Sequence, residues 1–133
     1  IPAERKDAFY QLVLHPVLAT ANVSRMNIAI GKNRLYATQG RATADLYRQQ
    51  AKDFFAYDAA LKERYHGINN GKWRHFMDQS HIGYTNWQNP EADQLPALAE
   101  YVPGNYAEMG IALEGISDAW PAAVSGHWPH SGK

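Results

Sequence analysis

The sequence has no cysteine. That excludes a disulfide framework, a Cys-ligated zinc centre and a thiol nucleophile within this stretch. It leaves the compartment open. No apolar run approaches the roughly 20 residues that span a bilayer as a helix, and no secretory leader is visible. Charge of one sign is not in excess either: thirteen Lys and Arg balance thirteen Asp and Glu. A chain without a basic surplus has no electrostatic footprint for nucleic acid or an anionic membrane, so neither is expected as a partner. At 133 residues, 45% of them apolar, it is long enough for one modest core and too apolar to stay unfolded. The chain opens Ile1-Pro2 without an initiator methionine, which raises the expectation of a piece of a longer protein.

What the sequence does have is helical periodicity followed by an aromatic loop. Over the first forty residues, Phe9, Leu12, Val13, Pro16, Val17, Thr20, Val23, Asn27 and Ile30 recur every three or four positions and predict one buried helix face. Pro2 suits a first helical turn. Pro16 predicts a kink or break near His15, because it lacks the N–H that would reach Leu12. Gly40 supplies a left-handed cap. Thr43 reads as the N-cap of a second helix, with Asp45 at the positive end of its dipole. Leu46, Gln50, Phe54, Tyr57, Leu61 and Tyr65 make its stripe, widened by Tyr47, Ala51 and Phe55. Asp58 and Lys62 are spaced i,i+4 as a surface pair. Gly67 ends the helix and Asn69-Asn70-Gly71 marks a turn. Two long helices joined by a short connection predict an antiparallel hairpin.

After a short segment over 72–78 and a loop over 79–90, Pro96 to Tyr101 has room for one or two further helical turns. The period then changes. From Tyr106 to Gly115, Ala107, Met109, Ile111 and Leu113 alternate with Glu108, Gly110, Ala112 and Glu114, a half-buried strand pattern. Nothing else in the chain reads as its partner, so the strand is expected to belong to a following β domain. The expected fold is mainly α: a helical hairpin or bundle over residues 1–104, an aromatic-rich loop, and over 105–133 the first strand and tail of a truncated β domain.

Residues 71–90 read GKWRHFMDQSHIGYTNWQNP and place Trp73, His75, Asp78, His81, Tyr84 and Trp87 within fifteen positions. Aromatic faces beside amides and hydroxyls suit a pyranose, whose C–H bonds stack on a ring while its hydroxyls need fixed donors and acceptors. Tyr84 and Trp87, with Asn86, Gln88 and His81 beside them, form the candidate sugar-recognition edge. Trp73, with Met77 and Phe76 beside it, is expected in the core; His75 and Asp78 are expected to fix the loop. A metal trio of His75, Asp78 and His81 needs convergent donors, which loop spacing does not establish, and no metal is assigned. A His-Asp pair can do acid–base work, but a nucleophile or second carboxylate at matching spacing is missing, so no catalytic residue is assigned. Arg25, Lys32, Arg34 and Arg41 read as solvated charges, and His127 and His130 as an H-x-x-H in a short polar tail.

The pattern GKW-x-H-x-MDQ-[ST]-H-IGYT-x-WQ-x-P resembles a signature of glycoside hydrolase family 115, the α-glucuronidases that remove (4-O-methyl)glucuronic acid from xylan. The segments DAFYQLVLHPV, GKNRLYATQGRA and YAEMGIALEG-x-x-x-AWP are similar to that family in the same order, so the resemblance covers nearly the whole chain. Arg74 and Phe76 are minor departures inside the motif. The resemblance implies a secreted or periplasmic multidomain enzyme: a catalytic (β/α)-barrel, a helical bundle, then a β-sandwich. This chain would be the bundle and the start of the sandwich. The family's acid and base belong to the barrel, so no catalytic role carries over to any residue here. Implied partners are glucuronoxylan or its decorated oligosaccharides, the barrel and sandwich of the same protein, and a second copy in a homodimer; no cofactor is implied. The alternative is a stand-alone carbohydrate-binding or dimerisation module without catalytic activity.

Overall fold

The computed structural model describes residues 1–84, 86, 91–102, 104, 111–114 and 119–120. The chain is mainly α-helical. A 3-10 turn (Ala3–Arg5), helix α1 (Lys6–Phe9) and a π-helical turn (Tyr10–Leu14) run directly into α2 (His15–Thr38). Helix α3 (Thr43–Gly71) returns alongside α2, and two short strands, β1 (Ile111–Ala112) and β2 (Ala119–Trp120), follow.

Pro16 does not break the helix. It sits in the first turn of α2, where an N–H is dispensable, and the chain widens just before it. The His15 N–H reaches back five residues to the Tyr10 carbonyl, so the strain is taken up as a π-turn with helical backbone angles throughout. Gly40 closes α2 as expected. At φ 67° it lets Arg41 N–H bond the Tyr36 carbonyl at 2.8 Å and Gly40 N–H bond that of Ala37 at 3.0 Å, the double bond pattern of a Schellman cap. Thr43 is the first helical residue of α3 rather than its N-cap: Ala42 holds that position and no side chain caps the helix there. The helical angles stop at Gly67, and Asn69, Asn70 and Gly71 take φ of 50°, 55° and 78°. Asparagine and glycine tolerate this left-handed region best, so the turn falls where that tripeptide stands.

The two long helices are antiparallel. Gln11 bonds Tyr65 at 2.9 Å, Asn22 bonds the Phe54 carbonyl at 2.9 Å and Asn33 bonds that of Ala44 at 2.9 Å, a ladder whose numbers rise on one helix as they fall on the other. Apart from Ile30, which is buried in the core, the face of α2 that makes this contact is not the one the aliphatic pattern marks. Phe9, Leu12, Val13 and Val17 are exposed, Leu12 to 73%. His15, Asn22, Met26, Ala29, Asn33 and Tyr36 are buried, with Ala19 half-buried among them. These seven positions alternate by three and four, as do Ala44, Tyr47, Ala51, Phe54, Asp58, Leu61 and Tyr65 on α3. Both are heptad seams built largely from alanine, amides and rings, so helix backbones meet over small side chains. On α3 the expected stripe holds except at Leu46 and Tyr57, which are exposed. Asp58, read as a surface partner of Lys62, is buried within the seam.

The chain beyond α3 lies along this hairpin. Ile82 is buried with Met26, Ala29, Ile30 and Ala51, and Leu95 and Leu98 pack against that cluster. Residues 95–102 form no helix, against the expectation for Pro96 to Tyr101. Their backbone is held by side chains of α2 instead. Asn33, fully buried, donates to the Ala44 and Ala99 carbonyls and accepts the Ala99 N–H at 2.8 Å; Arg34 donates to the Ala97 carbonyl. The expected strand is present at Ile111–Ala112, the rest of that pattern up to 110 lying outside the described residues. It does find a partner in the chain: β1 pairs antiparallel with β2, Ile111 opposite Trp120. The segment after β1 docks on the end of α2, where Gln39 donates to the Leu113 carbonyl and the Tyr36 hydroxyl donates to Glu114 at 2.7 Å.

Candidate functional site

The polar side chains that converge do so where residues 72–84 fold back over the lower half of the hairpin. Successive tight turns (Lys72 N–H to Asn69 O, Arg74 N–H to Gly71 O, Phe76 N–H to Trp73 O) carry the chain across the end of α3. Ile82 then anchors it in the apolar cluster. Between loop and hairpin lies a cleft of about 300 Å³ lined by His15, Asp58, Lys62, Phe76, Gln79 and His81 among others.

Its centre is His81. The Nε2 atom lies 2.9 Å from Asp58 Oδ2, and Nδ1 lies 3.3 Å from the Gln79 carbonyl and 3.5 Å from Asp93 Oδ1. Asp93 also accepts the backbone N–H groups of His81 and Ile82 at 2.6 and 2.8 Å. Burial alone pushes the His81 imidazolium towards deprotonation. The hydrogen bond and charge of Asp58, the Gln79 carbonyl and Asp93 outweigh it, and the net pKa is raised. With acceptors at both ring nitrogens the side chain is clasped between two carboxylates that favour its protonated form. His15, which also lines the cleft, has its pKa lowered by burial, with Asp58 opposing. It is buried, stacked obliquely on Tyr65 at 4.7 Å, and its Nδ1 has no hydrogen-bond partner.

A second cluster flanks the first. His75 Nδ1 lies 2.6 Å from Asp78 Oδ2, and that hydrogen bond, opposed by burial and aided by the charges of His75, His66 and Lys62, holds the Asp78 carboxyl below its usual pKa. His66 Nε2 accepts the Met77 N–H at 3.2 Å. His75 has φ 67°, a left-handed angle that the Asp78 contact helps hold.

The loop residues singled out from sequence thus separate. His75 and Asp78 fix the loop locally, as expected. His81 does not join them: it serves Asp58 and Asp93, so the trio His75, Asp78 and His81 does not converge. Trp73 is half-buried rather than in the core, edge-on to an exposed Phe76 at 5.6 Å. Tyr84 and Asn86 are exposed beyond Gly83. Trp87 and Gln88 lie outside the described residues, as do His127 and His130. Sequence reasoning missed Asp58, Asp93, His15 and His66. One signal could have found Asp58: with Ala44, Ala51 and Tyr65 it completes a seven-residue period, and a carboxylate at a seam position demands a partner.

No protein-family model matches the chain, and no curated protein matches it.

Proposed function

We propose that the chain is the non-catalytic helical domain of a xylan α-glucuronidase, with 105–133 opening a β-sandwich, and that it braces the catalytic barrel and helps shape the uronic-acid side of the substrate site. The observation that carries the reading is the run GKWRHFMDQSHIGYTNWQNP, with three further similar segments in the same order along the chain. The geometry is in keeping with it. The described part of that run is a pinned surface platform with Tyr84 and Asn86 at its outer edge, and a platform held by the half-exposed His81–Asp58 contact and an apolar anchor presents side chains at fixed positions. The carboxylates near it are engaged in holding the loop, in keeping with a domain whose partner supplies acid and base.

In the secreted or periplasmic parent enzyme, the reaction is hydrolysis of the bond between glucuronic acid and a xylan xylose. Replacing Tyr84 and Trp87 by alanine in the barrel-bearing protein is expected to raise KM for glucuronoxylan with helicity unchanged. Unchanged KM and kcat would remove the substrate-shaping role.

A second reading, a docking or dimerisation module without chemistry, is favoured by the exposed row Phe9, Leu12, Val13 and Val17. Such a continuous apolar row on one helix face is the kind of surface another domain or copy covers. Concentration-dependent dimerisation of the chain, abolished by Leu12→Glu, would favour it.

A further inference from the structure

We propose that the contacts of His81 with Asp58, Gln79 and Asp93 form a proton-operated latch: they hold the loop against the hairpin at the cleft, and loss of one proton releases it. The ring presents Nε2 to Asp58 Oδ2 at 2.9 Å, and Nδ1 to the Gln79 carbonyl at 3.3 Å and Asp93 Oδ1 at 3.5 Å. With the carboxylates ionised all of these oxygens are acceptors, so serving both nitrogens takes two N–H groups. A neutral imidazole has one. If it faces Asp58, a lone pair is turned on the Gln79 carbonyl and on Asp93. If it faces Gln79, Asp58 loses its donor at a place where it is only 5% exposed. The count is the same if the proton rides on Asp58 rather than on the ring. The closed geometry therefore holds one proton more than a carboxylate beside a neutral imidazole.

The charged ties of this loop are all of that kind. Among the described residues, each ion pair made by residues 72–84 joins a histidine to an aspartate: His81 to Asp58 and Asp93, and His66 and His75 to Asp78. Arginine makes the pairs at Asp45, Glu100 and Glu114, and arginine keeps its charge over the whole range in which histidine titrates. The titratable groups around His81 come from every side. Asp58 and Lys62 on α3 and His15 on α2 share the cleft wall, Asp93 reaches in from the returning chain, and Asp78 stands three residues earlier in the loop. Burial of the ring opposes its proton, but the hydrogen bond and charge of Asp58, the Gln79 carbonyl and Asp93 outweigh it, and the pKa stands above its ordinary 6.5. A raised folded pKa gives stability that is fully present below the unfolded value and is lost as pH rises through the folded one.

Release is local. Asp93 Oδ1 is the acceptor of the His81 and Ile82 N–H groups as well as the atom that Nδ1 faces, so a lone pair on Nδ1 loosens those bonds too. Two attachments do not depend on the proton: the Ile82 side chain in the apolar cluster, and the Gln94 N–H on the Ile82 carbonyl. The hairpin keeps its fold while Gln79 and His81, which both line the cleft, swing away from it. The cleft widens on alkalinisation, and the edge at Tyr84, three residues on, loses its support on that side. Control of substrate contact at that edge rests on the proposed glucuronidase reading; the latch itself does not.

The test is NMR on the unaltered chain without substrate, from about pH 5.5 to 8.5, the range in which histidine titrates. Ring nitrogen shifts follow the titration of each histidine, and amide exchange at His81, corrected for the intrinsic pH dependence of exchange, follows the opening of the loop. Protection of the His81 N–H is expected to fall as pH rises, with its midpoint at the titration of the His81 ring, while Met26 and Ala51 in the seam keep theirs. By linkage, the fold-loss in protection equals the ratio of the His81 acid dissociation constants in the urea-unfolded and native chains. His81→Gln, which does not titrate, removes the pH dependence, and His75→Gln leaves it in place. Protection that is flat across the His81 titration overturns the proposal. So does a fall that persists in His81→Gln or follows the titration of His66 or His75. The comparison of ring and amide needs no variant to fold, and without substrate present its failure is distinct from failure of the glucuronidase reading.

Discussion

His81 Nε2 lies 2.9 Å from Asp58 Oδ2, and this contact joins the aromatic loop to the buried seam of the hairpin. Asp58 is at a seam position where a hydrophobic residue would ordinarily pack, and the His81 imidazole is the hydrogen-bond partner that makes its burial tolerable. Asp58→Asn keeps the shape and removes the charge. It is expected to lower stability by about 1–2 kcal/mol, the lower part of the range for a charged hydrogen bond because the His81 side chain is 44% exposed. Urea denaturation of the two chains measures it, and an unchanged midpoint would show that the clasp contributes nothing.

Asn33 ties three segments together. It donates to Ala44 on α3 and exchanges hydrogen bonds with Ala99 on the returning chain. Asn33→Leu is close in volume but leaves the part-buried Ala99 N–H and carbonyl without their protein partner. A loss of about 2–4 kcal/mol is expected, with faster amide exchange at Ala99. Exchange at Ala99 as slow as in the parent chain would contradict the assignment.

Gly83 cannot be replaced cheaply. Its φ is 82°, and an added Cβ would stand 2.7 Å from the Gln94 carbonyl oxygen. Gly83→Ala is expected to cost roughly 2 kcal/mol or more and to free the 81–84 loop from residues 93–94 before the helices melt. The Gln94 N–H bond to the Ile82 carbonyl, read by amide exchange, reports it.

Asp78 gives the pH dependence a sign. Its folded carboxyl is held below the usual value, first by the hydrogen bond from His75. A group with a depressed folded pKa stabilises the fold above its unfolded value, and that contribution disappears as pH falls through the folded one. Stability should therefore decline on acidification through the carboxylate range, and His75→Gln should shrink the decline. The Asp78 carboxyl carbon, followed by NMR, should titrate at higher pH in that variant; an identical titration would refute the pairing.

The parts of the fold that were legible in the sequence are those where local chemistry and tertiary structure agree. Asn69-Asn70-Gly71 turns because those residues accept left-handed angles, and Gly40 caps α2 for the same reason. The α3 stripe was legible because Phe54, Leu61 and Tyr65 are large and apolar. The α2 face was not. Its seam is made of Asn22, Ala29 and Asn33, which score as neutral or polar, while the aliphatic Leu12, Val13 and Val17 point to solvent. The partner of the 111–112 strand was missed because two paired residues, Ala119 and Trp120, make no alternating pattern. In the candidate site the loop histidines were visible, but the two carboxylates that hold His81 lie 23 residues before it and 12 after, beyond any local motif.

The most direct test of the proposed role is glucuronic acid release from glucuronoxylan, measured for this chain alone and for a longer polypeptide that adds the proposed upstream barrel. The account predicts no release by the chain and ready release by the longer protein, with acid and base found in the barrel. Release by the chain alone, or none by the longer protein, would contradict it.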